Sequence, residues 1–161
     1  MTSRPVREGI VAGLIGATSV AVWFFVVDLV AGQPLATPSM LGAGLMSVLG
    51  PAGGEGMATH VIFYTIVHYF VFMLIGVIVA AMLALAERQH SLLAGLLILF
   101  VIFEIGFYGL VTMLGQSTLG RIAWYQIGAA NLVAALMMWL YLRRVHPQAG
   151  QRLREVLAGG E

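Results

Sequence analysis

Residues 61–86, VIFYTIVHYFVFMLIGVIVAAMLALA, decide the fold of this chain. The stretch contains one histidine, His68, and no Asp, Glu, Lys or Arg. An α-helix needs about 20 consecutive apolar residues to cross the hydrocarbon core of a bilayer, at a rise of about 1.5 Å per residue. The sequence therefore predicts a membrane-spanning helix here.

Three further runs share this apolar character. One is interrupted only by Asp28, one only by Glu104, and the last is uncharged. They are residues 10–31, 91–114 and 122–142. Strands of a membrane barrel alternate polar and apolar residues, whereas these runs are apolar on every side. We predict an all-α polytopic membrane protein, a four-transmembrane-helix bundle that forms a single membrane domain over residues 1–161.

Composition agrees with a membrane protein and excludes several classes of function. Of the 161 residues, 60% are hydrophobic and 9% are charged, which excludes a soluble globular or a disordered chain. The net charge is +1, and the cations lie outside the apolar runs, so no nucleic-acid partner is predicted. The absence of cysteine excludes thiol redox chemistry, iron–sulfur clusters and disulfides.

Arginine placement predicts the orientation. All 8 basic residues are arginines, and with both termini inside only Arg121 lies on the outer side. Cytoplasmic loops favour Lys and Arg, so we expect a multi-pass membrane protein with cytoplasmic termini and a cytoplasmic tail over 143–161. A cleaved signal peptide is disfavoured, because the first run is too long and Asp28 lies where a cleavage site would be.

The long connection between the first two spans contains a predicted short helix, about 38–49. Thr37 is a suitable N-cap, Pro38 fits the first helical turn, and Gly50-Pro51 ends the helix. The helix is too short to cross a bilayer, so it lies in the external interface or is re-entrant. It has no polar face, which favours burial against the bundle.

Small residues recur every four positions in the first span: Gly9, Gly13, Ala17 and Ala21. In lipid, small residues allow close approach of helix backbones, so this stripe is a predicted contact face. Asp28 continues the stripe and is expected to point into the bundle or toward a partner.

Polar side chains within the spans form the first candidate site. From the outer ends of their helices, His68 is about 10 Å deep, Glu104 about 15 Å and Asn131 about 14 Å. An ionisable residue in a span is costly unless it is paired, so these three form a candidate intramembrane polar site. The structural alternative is that each is internally hydrogen-bonded and only fixes helix packing.

Asp28, His60 and Tyr64 form a second, shallower group, a candidate outer vestibule. Asp28 is about 5 Å from the outer end of its helix, and His60 is at the lip. Hydration near the interface is the structural alternative for Asp28.

No metal, haem or other cofactor is predicted, and no catalytic residue. His60 and His68 are two helical turns apart, about 12 Å, so they cannot bind one ion. The sequence has no metalloprotease, P-loop or nucleophile-elbow motif. The chain is therefore more consistent with a protein that is not an enzyme.

Similar tripeptides at corresponding places suggest a duplicated helical hairpin. Ala12-Gly13-Leu14 opens the first span and Ala94-Gly95-Leu96 the third, and aromatic-rich segments open the second and fourth. Parallel repeats of this kind occur in transporters. Chance similarity remains the alternative, because Ala, Gly and Leu are abundant here.

The segments 23–29, WFFVVDL, and 32–38, GQPLATP, followed by Leu41-Gly42, resemble a family of small bacterial four-transmembrane-helix proteins of uncharacterised activity. The resemblance covers about a fifth of the chain. It implies a bacterial plasma-membrane setting and no activity.

Two functions remain in view. The first is a non-catalytic accessory, anchor or assembly subunit, with the lipid bilayer and a protein partner or a homo-oligomer around it. Short loops and small-residue faces favour it. The alternative is a small transporter or channel for protons, a metal ion or a small solute, which the polar layer of His68, Glu104 and Asn131 favours.

Overall fold

The computed structural model describes residues 3–49, 56–86, 92–113 and 124–146. Within them the chain is all-helical, as predicted, with no strand. The five helices are α1 (Ser3–Val30), α2 (Ala36–Leu49), α3 (Met57–Ala86), α4 (Leu92–Met113) and α5 (Trp124–Val145). The predictions for the loop at 50–55, the turn at 87–90, Arg121 and the tail after residue 146 fall outside the described residues.

Among the described residues, three helices are long and apolar enough to cross a membrane, namely Arg4–Val30, Met57–Leu85 and Trp124–Val145. The first two begin before the predicted spans at 10–31 and 61–86, and the third ends after the predicted span at 122–142, because polar residues continue the helix beyond the apolar run at that end. In α4, which has 22 residues, the described apolar stretch is Phe100–Gly109. The short helix expected near 38–49 is α2, which begins two residues earlier.

Glycine allows α1 and α3 to cross in close contact. A Cβ on Gly13 would collide with the Phe72 carbonyl oxygen, and one on Gly76 would collide with the Gly9 carbonyl oxygen. Dispersion between closely approaching backbones is a main source of helix association in lipid. The α1–α3 contact is the most extensive in the molecule, so these glycines position the rest of the bundle.

The predicted stripe on α1 is correct for its first three members and wrong for Ala21. Gly9, Gly13 and Ala17 are buried, whereas Ala21 is exposed. An α-helix has 3.6 residues per turn, so a strict four-residue spacing drifts around the helix. The buried face continues instead through Val20, Phe24 and Asp28.

The remaining helices pack around the α1–α3 pair. Helix α5 lies against α1, α2 lies against α3, and α4 contacts α3 less extensively. Ile127, Ala130 and Ala134 of α5 pack with Val20 and Phe24 of α1 in one buried cluster. Toward the other end of the bundle, a second cluster joins α1, α3 and α5. The looser packing of α4 leaves the space in which the candidate site lies.

Candidate functional site

A cavity of about 490 Å³ lies between α4 and the rest of the bundle, and every one of the five helices contributes to its wall. Most of the lining is aliphatic or aromatic, and it includes Phe103 and Phe107 from α4 together with Phe24 and Phe72. The polar lining side chains are Tyr64, His68, Glu104 and Asn131. Cavities of this size, mainly apolar with a few polar groups, are typical of sites for small molecules.

Glu104 and Asn131 form a direct hydrogen bond across the cavity wall. The Asn131 Nδ2 donates to Glu104 Oε2 at 2.8 Å, and both side chains are half-buried. The bond joins α4 to α5, with the Tyr108 hydroxyl donating to the Trp124 carbonyl oxygen at 2.7 Å as a second link. A Cβ at Gly128 would lie 3.7 Å from the Tyr108 hydroxyl, an ordinary van der Waals distance. Two hydrogen bonds therefore link α4 to α5 beside the cavity.

His68 lies on the same cavity but has other partners than Glu104. Its Nε2 is 3.1 Å from the Ala17 carbonyl oxygen, and its Nδ1 is 3.4 Å from the Tyr64 hydroxyl. A carbonyl oxygen only accepts, so Nε2 carries a proton. The imidazole ring also stacks on the Tyr64 ring, with 5.3 Å between centroids. His68 therefore links α3 to α1.

The predicted outer group separates into different environments. Asp28 is 5% exposed, and its two carboxylate oxygens accept from Thr37 N–H at 2.8 Å and from the Thr37 hydroxyl at 2.6 Å. Tyr64 lies with His68 on the cavity wall. His60 lies where α2 crosses α3. Its carbonyl oxygen is so close to Gly42 that a Cβ at that position would collide with it.

Asp28 is the N-terminal cap of α2, the role predicted for Thr37. Helix α2 begins at Ala36, so Thr37 lies inside it and donates to the carboxylate nine residues earlier. Negative charge at a helix N-terminus is favourable because unpaired N–H groups point toward it. A local sequence pattern identifies a cap next to the helix that it caps. It therefore does not predict a cap from the preceding helix.

A second buried carboxylate, Glu8, was not predicted from the sequence. Its side chain is 4% exposed, and its oxygens are each 3.0 Å from a basic nitrogen, Nε of Arg4 and Nε2 of His146. The i, i+4 spacing of Arg4 and Glu8 is a usable sequence signal for this pair. The contact with His146 spans 138 residues and carries no local signal.

Hydrogen bonds satisfy the buried polar atoms of this molecule. Within the part of the chain that the structure describes, every buried side-chain nitrogen or oxygen has a partner. Across the same residues, no three His, Asp or Glu side chains converge as metal ligands. The chemistry available at the cavity is therefore hydrogen bonding to a guest beside an apolar wall.

Comparisons of the chain with protein-family models, with curated proteins and with solved structures return no match.

Proposed function

We propose that this is a non-catalytic, four-span membrane protein that holds a small, largely apolar molecule in the cavity between α4 and the other helices. The observation that carries the proposal is the composition of that cavity wall. The lining is apolar except for two hydrogen-bonded pairs, Glu104–Asn131 and Tyr64–His68. A ligand with an apolar body and one polar group fits this cavity. Its apolar body contacts the apolar lining, and its polar group forms a hydrogen bond with Glu104 or Asn131.

The topology in this proposal adds α4 as a membrane span beside α1, α3 and α5. Its 22 residues reach about 33 Å at 1.5 Å per residue, against a hydrocarbon core of about 30 Å. Arginine placement supports cytoplasmic termini and an external α2 in a bacterial inner membrane. The chain contains no cysteine, so single cysteines can be placed freely.

Labelling with a membrane-impermeant maleimide in intact bacterial cells tests this topology. Ser47→Cys, on the exposed surface of α2, is expected to react from outside. Arg144→Cys, in the last turn of α5, is expected to react only after permeabilisation. The reverse pattern, or labelling of both in intact cells, contradicts the orientation.

Gly106 and Gly109 offer a matched pair for the test of the cavity. Both are in α4, and a Cβ at either position meets no atom within 4 Å. Gly106 lines the cavity and Gly109 does not. Gly106→Leu therefore adds side-chain volume at the cavity wall, and Gly109→Leu is its control.

The readout is native mass spectrometry after extraction in a mild detergent. Wild type and Gly109→Leu are expected to carry a defined small molecule, and Gly106→Leu is expected to lose it. Equal occupancy in all three proteins, or none in wild type, contradicts the proposed site.

Membership of a larger membrane complex is the setting we propose for this binding. Short connections between the predicted spans and the small-residue contact between α1 and α3 support an accessory role. Native-gel sizing after gentle extraction tests it, since a subunit migrates with a defined complex. Migration as a monomer or small homo-oligomer contradicts the accessory role but does not contradict the ligand site in the cavity.

Transport of protons, a metal ion or a small solute is the second candidate. One observation favours it, because His68, Glu104 and Asn131 all line one cavity. In proteoliposomes, loss of flux in Glu104→Gln and His68→Gln with normal accumulation supports transport. Unchanged flux in both variants removes this candidate.

A further inference from the structure

An open basic pocket lies where the N-terminal end of α1 meets the C-terminal end of α5. It has a volume of about 610 Å³ and is lined by Arg4, Arg7, Glu8, Tyr141 and Val145. The first apolar run begins at residue 10, so the pocket lies at the boundary between apolar and polar segments. It shares no lining residue with the cavity described above.

The buried carboxylate of Glu8 fixes the arginine beside it. Glu8 is 4% exposed, whereas the Arg4 side chain is 77% exposed and uses its Nε to bond Glu8 Oε1. A guanidinium has five N–H donors, so its terminal nitrogens stay available on the exposed side. The other oxygen, Oε2, is taken by His146 Nε2. Glu8 thus orients Arg4, and both of its oxygens already have partners.

Arg7 supplies a second cationic group to the same pocket. It is exposed, and among the described residues it forms no hydrogen bond or ion pair. Arg143 and Arg144 add positive charge in the last turn of α5. Among the described residues, this end of the bundle carries four arginines and one carboxylate, Glu8, which is paired.

The α5 side of the pocket, its floor, consists of one amphipathic residue and one apolar residue. Tyr141 and Val145 are half-buried on one face of α5, one helical turn apart. Tyrosine favours the membrane–water boundary, where its ring contacts acyl chains and its hydroxyl contacts headgroups. Guanidinium groups bind phosphate oxygens with two parallel hydrogen bonds. Two arginines above an apolar floor therefore match a phosphate that carries a hydrocarbon chain.

We propose that the pocket of Arg4, Arg7, Tyr141 and Val145 binds the phosphate headgroup of an anionic phospholipid. The inference is independent of the proposed cavity ligand, because it uses different residues at another place in the bundle. Basic pockets between spans on the cytoplasmic side are a recognised mode of anionic-lipid binding.

The test uses the full chain in nanodiscs of phosphatidylcholine that contain a minor fraction of phosphatidylglycerol. Native mass spectrometry counts the lipids of each class that stay with the protein. An arginine that contacts the anionic headgroup directly contributes about fivefold to affinity for anionic lipid. Arg4→Gln/Arg7→Gln is expected to lower phosphatidylglycerol retention by about 25-fold.

Arg143→Gln/Arg144→Gln is the matched control, since it removes the same charge from the same end outside the pocket lining. Its expected loss is smaller than that of Arg4→Gln/Arg7→Gln, because neither Arg143 nor Arg144 lines the pocket. Equal losses in the two double variants overturn the pocket in favour of diffuse attraction. Equal retention of both lipid classes by wild type overturns the proposal altogether.

Two further arms keep the result interpretable. Arg7→Gln alone tests the site without disturbing Glu8, and about a fivefold loss is expected. Inorganic phosphate is added as a competitor to separate a lipid headgroup from a soluble phosphate. Complete displacement of phosphatidylglycerol by millimolar phosphate overturns the lipid assignment, and undiminished retention supports it.

Discussion

The carboxylate of Asp28, near the end of α1, accepts two hydrogen bonds from Thr37, in the first turn of α2, at 2.8 and 2.6 Å. Both residues are buried. The turn between them includes Leu35, a non-glycine residue with φ of 67°. A left-handed backbone costs about 1–2 kcal/mol at such a residue, so the surrounding structure must hold it. The Asp28–Thr37 contact closes this turn and sets the direction of α2.

Removal of the carboxylate is expected to destabilise the protein. Asp28→Ala leaves the Thr37 N–H and hydroxyl buried without their acceptor, which costs about 1–3 kcal/mol of unfolding free energy. Thr37→Val, which removes only the hydroxyl donor, is expected to cost less. Thermal unfolding in detergent micelles measures both. Thr65→Val is the control, because the exposed Thr65 hydroxyl bonds only the Val61 carbonyl of its own helix. A melting temperature for Asp28→Ala equal to that of the control contradicts the capping role.

Close packing of α1 on α3 makes a second prediction. Gly13→Ala and Gly76→Ala each place a Cβ against the backbone of the opposite helix, where no flexible side chain can yield. Overpacking of this kind costs about 1–3 kcal/mol. Gly109→Ala is the matched control in α4, since its Cβ meets nothing within 4 Å. The control is expected to keep or slightly raise the melting temperature, and equal losses at all three positions would show that the crossing is not close.

The attachment of α2 to α3 depends on Gly42. Gly42→Ala directs a Cβ onto the His60 carbonyl oxygen, so α2 is expected to separate from α3 while the larger helices stay packed. Limited proteolysis in micelles measures this as faster cleavage within 36–49. Ser47→Ala, on the exposed side of α2, is the control. Unchanged protection of α2 in Gly42→Ala would contradict the contact.

The Asn131–Glu104 hydrogen bond holds α4 to α5. Asn131→Leu removes the donor at Glu104 Oε2, whereas Glu104→Gln keeps an acceptor oxygen for Asn131. Hydrogen bonds between membrane helices contribute about 0.6 kcal/mol on average and up to about 1.7 kcal/mol. Asn131→Leu is therefore expected to lower stability by about 1 kcal/mol and Glu104→Gln by less. The opposite ranking in thermal unfolding would indicate that the charge of Glu104 matters more than the bond.

The helices follow directly from hydropathy and length, because an apolar run of about 20 residues has few alternatives in a membrane. The grouping of His68, Glu104 and Asn131 on one cavity follows from their similar depth along separate helices. The Ala21 prediction fails because a four-residue spacing approximates the helical period over only a few turns.

Other contacts depend on tertiary structure that local pattern does not specify. Glu8 and His146 meet because the first and last helices pack side by side, which the sequence leaves open. The cap of α2 comes from Asp28 because the turn at 31–35 folds back on α1. The cavity depends on how α4 packs against the other helices, and no single residue in the sequence predicts it.

Identification of the cavity's occupant in living membranes tests the central claim most directly. We would place the photo-crosslinker p-benzoylphenylalanine at Phe103, which lines the cavity, and in a second protein at Phe25, which is 46% exposed and outside it. Irradiation of whole cells is followed by mass spectrometry of the adducts. The account predicts one defined small molecule at Phe103 and a mixture of phospholipids at Phe25. The same phospholipid mixture at both positions would contradict a ligand site and show that the cavity only admits bulk lipid.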